Sequence, residues 1–268
     1  MTVIDEADRA RPVALSALEF DVLAEYLGIE AVPLVLKVPS PGRTHTERAE
    51  LVDSAWESLS ARGLGRPNRL DPELERMLRL LVRPRREVDG RMWFGRSVRL
   101  LAAGAEPGES EQAVLVVKDG DTLTLRQAAA TGLAREAVHQ LPALRPGPGR
   151  SVTLRSVDLD AAAETSYDIE TLRMALRRYG VRADDAGTLT RMAAEAGNRG
   201  QFGAAARDRL GRRVRAAHVI GFFDSPHGRY VQLRRNSPSG DPWSTIAPVD
   251  SKRLIGHVEE LLTEVTLT

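Results

Sequence analysis

Cysteine is absent from the 268 residues. That excludes disulfides, thiolate metal sites and cysteine nucleophiles together, and it fits a reducing compartment. Lysine is scarce: three of the 38 basic residues are Lys, and the rest are Arg. With abundant Ala and Gly, that bias reads as GC-rich coding before it reads as phosphate chemistry. An excess of one charge sign is also missing. The 38 basic residues face 37 acidic ones, so the net charge of +1 gives no bulk pull towards nucleic acid or anionic membrane. No apolar run approaches the length of a membrane span, and no membrane insertion is expected. The N-terminal Met1-Thr-Val-Ile-Asp-Glu6 is acidic and lacks an apolar core, so no signal peptide is expected and a cytoplasmic location is. What is present, 42% apolar and 28% charged residues, describes an ordinary soluble globule long enough to bury a full core.

The motifs of catalysis are missing as well. His45, His139, His218, His227 and His257 form no i,i+4 pair and no HExxH pattern, so no metal site is expected. No Ser sits in GxSxG or SxxK. Pro146-Gly-Pro-Gly-Arg150 lacks the ending of a phosphate loop, opens a strand rather than a helix, and loses two N–H donors to proline. Asp158, Asp160, Asp184 and Asp185 precede helical patterns, where acids cap and complement the dipole. The reading is no enzyme and no cofactor.

The chain punctuates itself clearly. Val13–Leu15 reads as a short strand and Ser16 as the N-cap of a helix to about Leu27. Val32–Val38, broken by Pro33, reads as an edge or loop. Thr44 and Glu47 make a capping box, and Asp71-Pro72 starts the next helix. Strands are expected at Arg86–Phe94, Ser97–Ala103, Gln112–Lys118 and Asp121–Arg126, the last two joined by the hairpin dipeptide Asp119-Gly120. Residues 1–12 read as a frayed end, Gly104–Glu111 as a polar loop, Ala129–Gln140 as a helix, and 142–149 as linker-like.

The order then recurs. Helices are expected at Asp168–Tyr179 and Asp184–Ala196. Strands follow at Gln201–Arg207, Arg212–Phe223, Arg229–Arg235 and Trp243–Ala247, then a helix from Asp250. Gly95-Arg-Ser-Val-Arg99 matches Gly211-Arg-Arg-Val-Arg215, and Thr124-Leu125 matches Thr245-Ile246. This offset is too long for a solenoid unit. It predicts a single domain over 1–268 with quasi-repeat halves at about 13–145 and 146–268. Each half alone would leave an open strand edge, so the two should share one antiparallel sheet. The expected class is α+β, mainly antiparallel, with the two halves meeting in one sheet.

The densest basic segment holds Arg199, Arg207, Arg209, Arg212, Arg213 and Arg215. A solvated hairpin, an acidic protein partner and a nucleic acid all fit it. The last of these would make the chain an Arg-rich regulatory protein.

Several segments taken in order carry a resemblance. They are Ala31-Val-Pro-Leu-Val-Leu36, Thr44-His-Thr-Glu-Arg48, Pro148-Gly-Arg-Ser-Val152, Arg199-Gly-Gln-Phe-Gly203, Asp224-Ser-Pro-His-Gly-Arg-Tyr230 and Trp243-Ser-Thr-Ile-Ala-Pro-Val-Asp250. From about Ser16 to Leu262 the chain resembles the EspG family of actinobacteria, cytosolic chaperones of type VII secretion. The resemblance implies a central antiparallel sheet with two helical bundles and two halves related by a pseudo-two-fold. It also implies a job: binding the apolar helical tip of PPE or PE–PPE proteins, or of another WxG-type helical hairpin, and keeping it soluble. It implies no catalytic residue.

Period-2 alternation proposes a partner surface. On Arg212–Phe223, Val214, Ala216, His218, Ile220 and Phe222 share the more apolar face. Arg213, Arg215 and Val219 share the other, and Tyr230, Gln232 and Arg234 look outward from the next strand. Arg213, Arg215, Val219, Tyr230, Gln232 and Arg234 are therefore the candidate partner-binding residues, with Tyr and Arg as the anchoring types. On this reading Tyr230→Ala and Arg215→Glu weaken binding and spare the fold.

Overall fold

Capping residues set the first helices. The structure is a computed structural model and describes residues 11–105 and 112–266. Strand β1 (Val13–Ser16) runs into α1 (Ala17–Tyr26). There the Ser16 hydroxyl accepts from the Glu19 N–H at 3.1 Å, while the Glu19 carboxylate accepts from the Ser16 N–H at 2.7 Å. Thr44 and Glu47 repeat the device at α2 (His45–Ala61). A small hairpin follows, β2 (Gly65–Arg66) with β3 (Arg69–Leu70), which the sequence did not announce. Asp71 then caps α3 (Pro72–Val82), with proline at its first position.

A meander comes next: β4 (Arg86–Trp93), β5 (Ser97–Gly104), β6 (Gln112–Asp119) and β7 (Thr122–Ala129). A 3-10 turn and the short α4 (Leu133–Val138) close the half. The second half runs β8 (Val152–Arg155), α5 (Ser156–Glu164), α6 (Ile169–Arg178), α7 (Ala183–Ala193), β9 (Arg199–Arg207), β10 (Arg213–Arg215), β11 (Ile220–Ser225), β12 (Gly228–Asn236), β13 (Pro242–Pro248) and α8 (Ser251–Thr266).

The fold is α+β, as expected. Among the described residues the strands make one large sheet in the order β1-β7-β6-β5-β4-β9-β11-β12-β13-β8, with β10 beside β9. Every pairing of named strands within it is antiparallel. The order reads alike from both edges, and the halves join where β4 pairs with β9, from Arg86 opposite Ala206 to Trp93 opposite Arg199.

Cross-strand partners share a face, so the register sorts the layers. The back face carries Val88, Leu100, Leu115, Phe202, Phe222 and Val231. It is buried against Leu133, Ala134 and Ala137 of α4 and Leu254, Val258 and Leu261 of α8. On the front face Leu101, Val114, Val116, Leu123 and Leu125 pack under α1, α2 and α3. At the other end of the same face Val152, Leu154, Tyr230 and Ile246 pack under α5, α6 and α7.

Four expectations need correction. The strand over Arg212–Phe223 is two strands, because Arg215 faces Ala205 while Ile220 faces Phe202: five residues advance against three, and Ala216–Val219 bulges out. The helix expected over Ala129–Gln140 is shorter, since Ala129 still pairs with Gln112 and Ala130–Gly132 is a 3-10 turn. Val32–Val38 contains a 3-10 turn at Leu34–Leu36. The stretch 142–149 is no free linker: the Gly147 N–H donates to the Arg229 carbonyl at 3.1 Å, and the Arg229 N–H to the Arg145 carbonyl at 2.9 Å. The frayed end and the polar loop fall mainly on residues 1–10 and 106–111, outside the described residues.

Candidate partner-binding groove

One transverse row of the front face shows where the two helical bundles part. From β1 to β8 it reads Leu15, Leu123, Lys118, Arg99, Arg91, Gln201, Gly221, Gln232, Ile246 and Val152, each opposite the next. Leu15 and Leu123 are buried under the first bundle, Ile246 and Val152 under the second. The residues between are polar or glycine. Over those from Arg99 to Gln232 lies an open groove of about 1170 Å³. The neighbouring row adds Ser97, Trp93, Arg199 and Phe223. Trp93 is 45% exposed, a large apolar side chain presented to solvent at the groove.

The structure distributes the six sequence-derived residues around this groove. Gln232 lies half-buried on the floor and Val219 lines it from the bulge. Arg234 also lines it, its guanidinium held by Asp160 of α5 at 2.9 Å. Arg213 and Arg215 sit on β10, beyond the groove lining. Arg213 is ion-paired with Glu87, at 2.7 Å through Nε. Arg215 binds Asp89 at 2.5 and 3.1 Å. That contact raises the Arg215 guanidinium above its ordinary pKa. Gly203 makes room for it: a Cβ there would lie 2.2 Å from Arg215 Nη2.

Tyr230 is not part of the exposed surface. It is 1% exposed, stacked on Phe223 with centroids 5.1 Å apart, and its hydroxyl donates to the Pro148 carbonyl at 3.1 Å. Alternation placed it on the front face correctly, but that part of the front face is roofed by α5, α6 and α7.

Sequence reasoning missed Arg91, Trp93 and Arg99. The signal existed. On β4, Glu87, Asp89, Arg91 and Trp93 alternate with Val88 and Met92, and on β5 Ser97 and Arg99 alternate with Val98 and Leu100. Such alternation marks strands with one unroofed face. Among the described residues no His, Asp and Glu cluster could hold a metal, and no helix is long and apolar enough to cross a membrane.

The groove is thus floored by the middle strands of the sheet and flanked by the two helical bundles. The family model described as the EspG family matches residues 16–260. The chain belongs to the EspG family. A curated relative, the ESX-1 secretion-associated protein EspG1 of Mycobacterium marinum, is 25% identical over 247 residues, which is 90% of this chain and 84% of that one. The solved Mycobacterium tuberculosis type VII secretion system chaperone EspG5, in complex with a PE25–PPE41 dimer, superposes with a TM-score of 0.72 at 14% identity, covering 95% of this chain and 96% of that one. At that identity the likeness shows the fold, and the fold of this EspG-family chain is that of a protein solved with its partner bound.

Proposed function

We propose that this EspG-family chain is a cytosolic chaperone of type VII secretion that seats the helical tip of a PE–PPE or similar helical-hairpin substrate in the front groove. It acts by binding, not by catalysis. The observation that carries the reading is the unroofed middle of the front face: helices cover both ends of the row from Leu15 to Val152, and its centre lies open beside Trp93. A helical tip would supply there the layer that the chain itself lacks. A secreted hairpin with an exposed apolar tip self-associates, and a partner that covers the tip prevents this by mass action. The mirrored strand order supports a further part of the proposal, that the halves at about 13–145 and 146–268 are quasi-repeats and that the groove spans their junction at β4 and β9.

The nucleic-acid reading loses support. Arg212, Arg213 and Arg215 of the basic segment are ion-paired with Asp208, Glu87 and Asp89.

The test is co-expression with a PE–PPE heterodimer followed by size-exclusion chromatography. Gly221→Phe fills the groove floor and Val219→Arg adds charge to its wall. Both should abolish co-elution while the thermal melt stays within a few degrees of wild type. Co-elution undiminished in both variants would place the partner elsewhere.

A further inference from the structure

Basic side chains on the front face fall into two sets. Arg213, Arg215 and Arg234 are neutralised within the fold by Glu87, Asp89 and Asp160. Arg91, Arg99 and Arg199 have no acidic partner among the described residues. The register puts like charge against like: Lys118 faces Arg99, and Arg99 faces Arg91, on three adjacent strands. Directly opposed side chains sit about 5 Å apart at Cβ, and like charges so placed are destabilising. Lys118 shows the strain. Burial first, then the nearby Arg99 charge, hold its ammonium below the ordinary lysine pKa, and it turns to the Lys37 carbonyl at 2.5 Å. In a chain with 37 acidic residues, a groove floor with three unmatched cations is a choice of placement and not of composition.

The charge is also one-sided, the acid that lines the groove being Glu264, whose carboxylate lies 3.8 Å from His218 on the bulge. Cations occupy the floor over β4 and β5, and Arg199 of β9 lies opposite Trp93 of β4. Over β11 and β12 the floor is Gly221 and Gln232, which are neutral. We infer that the groove takes an apolar helical tip edged with carboxylates, and that it fixes the tip's orientation by setting the acidic edge against Arg91 and Arg99 and the neutral edge against Gly221 and Gln232. The inference rests on the chaperone reading and names the charge pattern of the substrate. Guanidinium–carboxylate pairing is the chemistry suited to it, being bidentate and orientation-specific. Trp93 offers the apolar contact next to the charged row.

The probes are two synthetic helical-hairpin peptides with the same apolar tip, one flanked on one side by Glu and the other by Gln at the same positions. Binding to the full chain is read by fluorescence anisotropy at low and high salt. The Glu peptide should bind about tenfold tighter at low salt, and the advantage should shrink to about twofold or less near 0.5 M salt. Arg91→Gln/Arg99→Gln should erase the preference. That variant, with both like-charge contacts removed, should melt at or above the wild-type temperature. Equal affinity for the two peptides, or a preference that survives the double substitution, overturns the inference and leaves the chaperone reading standing. Binding of neither peptide by a chain that still co-elutes with a PE–PPE heterodimer does the same. Failure with both peptides and heterodimer overturns the two together.

Discussion

The guanidinium of Arg229 lies 2.7 and 2.9 Å from the carboxylate of Asp224, the residue directly opposite it across the β11–β12 hairpin. Arg229 is 0% exposed, sits 5.4 Å from the Phe222 ring centroid, and donates to the Pro142 carbonyl at 3.0 Å. One buried pair thus ties the hairpin, the back-face core and the stretch joining the two halves.

Breaking that pair from one side leaves a buried charge without a partner. Arg229→Met should lower the unfolding free energy by about 3–5 kcal/mol. Asp224→Asn/Arg229→Met, with no charge stranded, should recover part of the loss. Urea unfolding of both variants measures this. A single substitution within about 1 kcal/mol of wild type would contradict it.

Tyr230 supports the fold and not the partner. Tyr230→Ala empties a fully buried site and should cost about 3–5 kcal/mol. Tyr230→Phe loses only the bond to Pro148 and should cost about 1 kcal/mol. Gly147→Ala should resemble the larger of these, because a Cβ there would lie 2.1 Å from the tyrosine ring. Thermal melts of the three variants rank them.

Glu19 links stability to acid. Its burial alone would raise the carboxyl pKa, but hydrogen bonds from the Ser16 N–H and the Ser58 side chain, with Arg62 beside it, lower it below the ordinary value. A depressed folded-state pKa gives stability that is present above the unfolded value and lost as pH falls through the folded one. Glu19→Gln should therefore reduce stability near neutrality and flatten its decline through the carboxylate range. Urea midpoints from pH 7 downwards test this in both proteins, and parallel curves would refute it.

Two glycines should respond in opposite directions. Gly256 lies within α8 with open space where a Cβ would go, so Gly256→Ala should stabilise by about 1 kcal/mol. Gly203→Ala would push the Arg215 guanidinium off Asp89 and should cost about 1–3 kcal/mol for the half-satisfied carboxylate. Chemical denaturation reads both.

Local signals in the sequence were dependable. The boxes at Ser16–Glu19 and Thr44–Glu47 and the start at Asp71-Pro72 depend on residues within a few positions and are where the sequence puts them; the β6–β7 turn lies one residue later than expected, at Gly120-Asp121, because Asp119 still pairs with Thr122. The joining of all the long strands in one antiparallel sheet followed from the recurrence of elements and from the need to close open edges. What failed depends on distant chain. Alternation told which face Tyr230 occupies and could not tell that α5, α6 and α7 roof it. Arg213 and Arg215 looked like free cations because Glu87 and Asp89 stand 126 residues away. Strand β8 was legible only as a strand opened by Pro146–Arg150, without bounds, and α5 begins at Ser156, ahead of the Asp158 and Asp160 that were expected to precede a helix: β8 is four residues long, and α5 follows at once with no side-chain cap. The groove row was legible only as strand alternation on β4 and β5, whose meaning requires the register across β4 and β9.

The large sheet of this chain ends in two strands, β1 and β8, of four residues each. A strand that short offers an incoming chain only a few hydrogen-bonding sites, too few to hold a foreign strand in register. A protein proposed to sequester the adhesive end of another must not become adhesive along its own margin. The eight residues of β4 and the nine of β9 lie at the middle of the sheet and are paired on both sides. The short edge strands therefore limit strand-to-strand pairing along the perimeter, so that mixing the chain with the proposed helical substrate should raise the amount of complex and not the amount of aggregate.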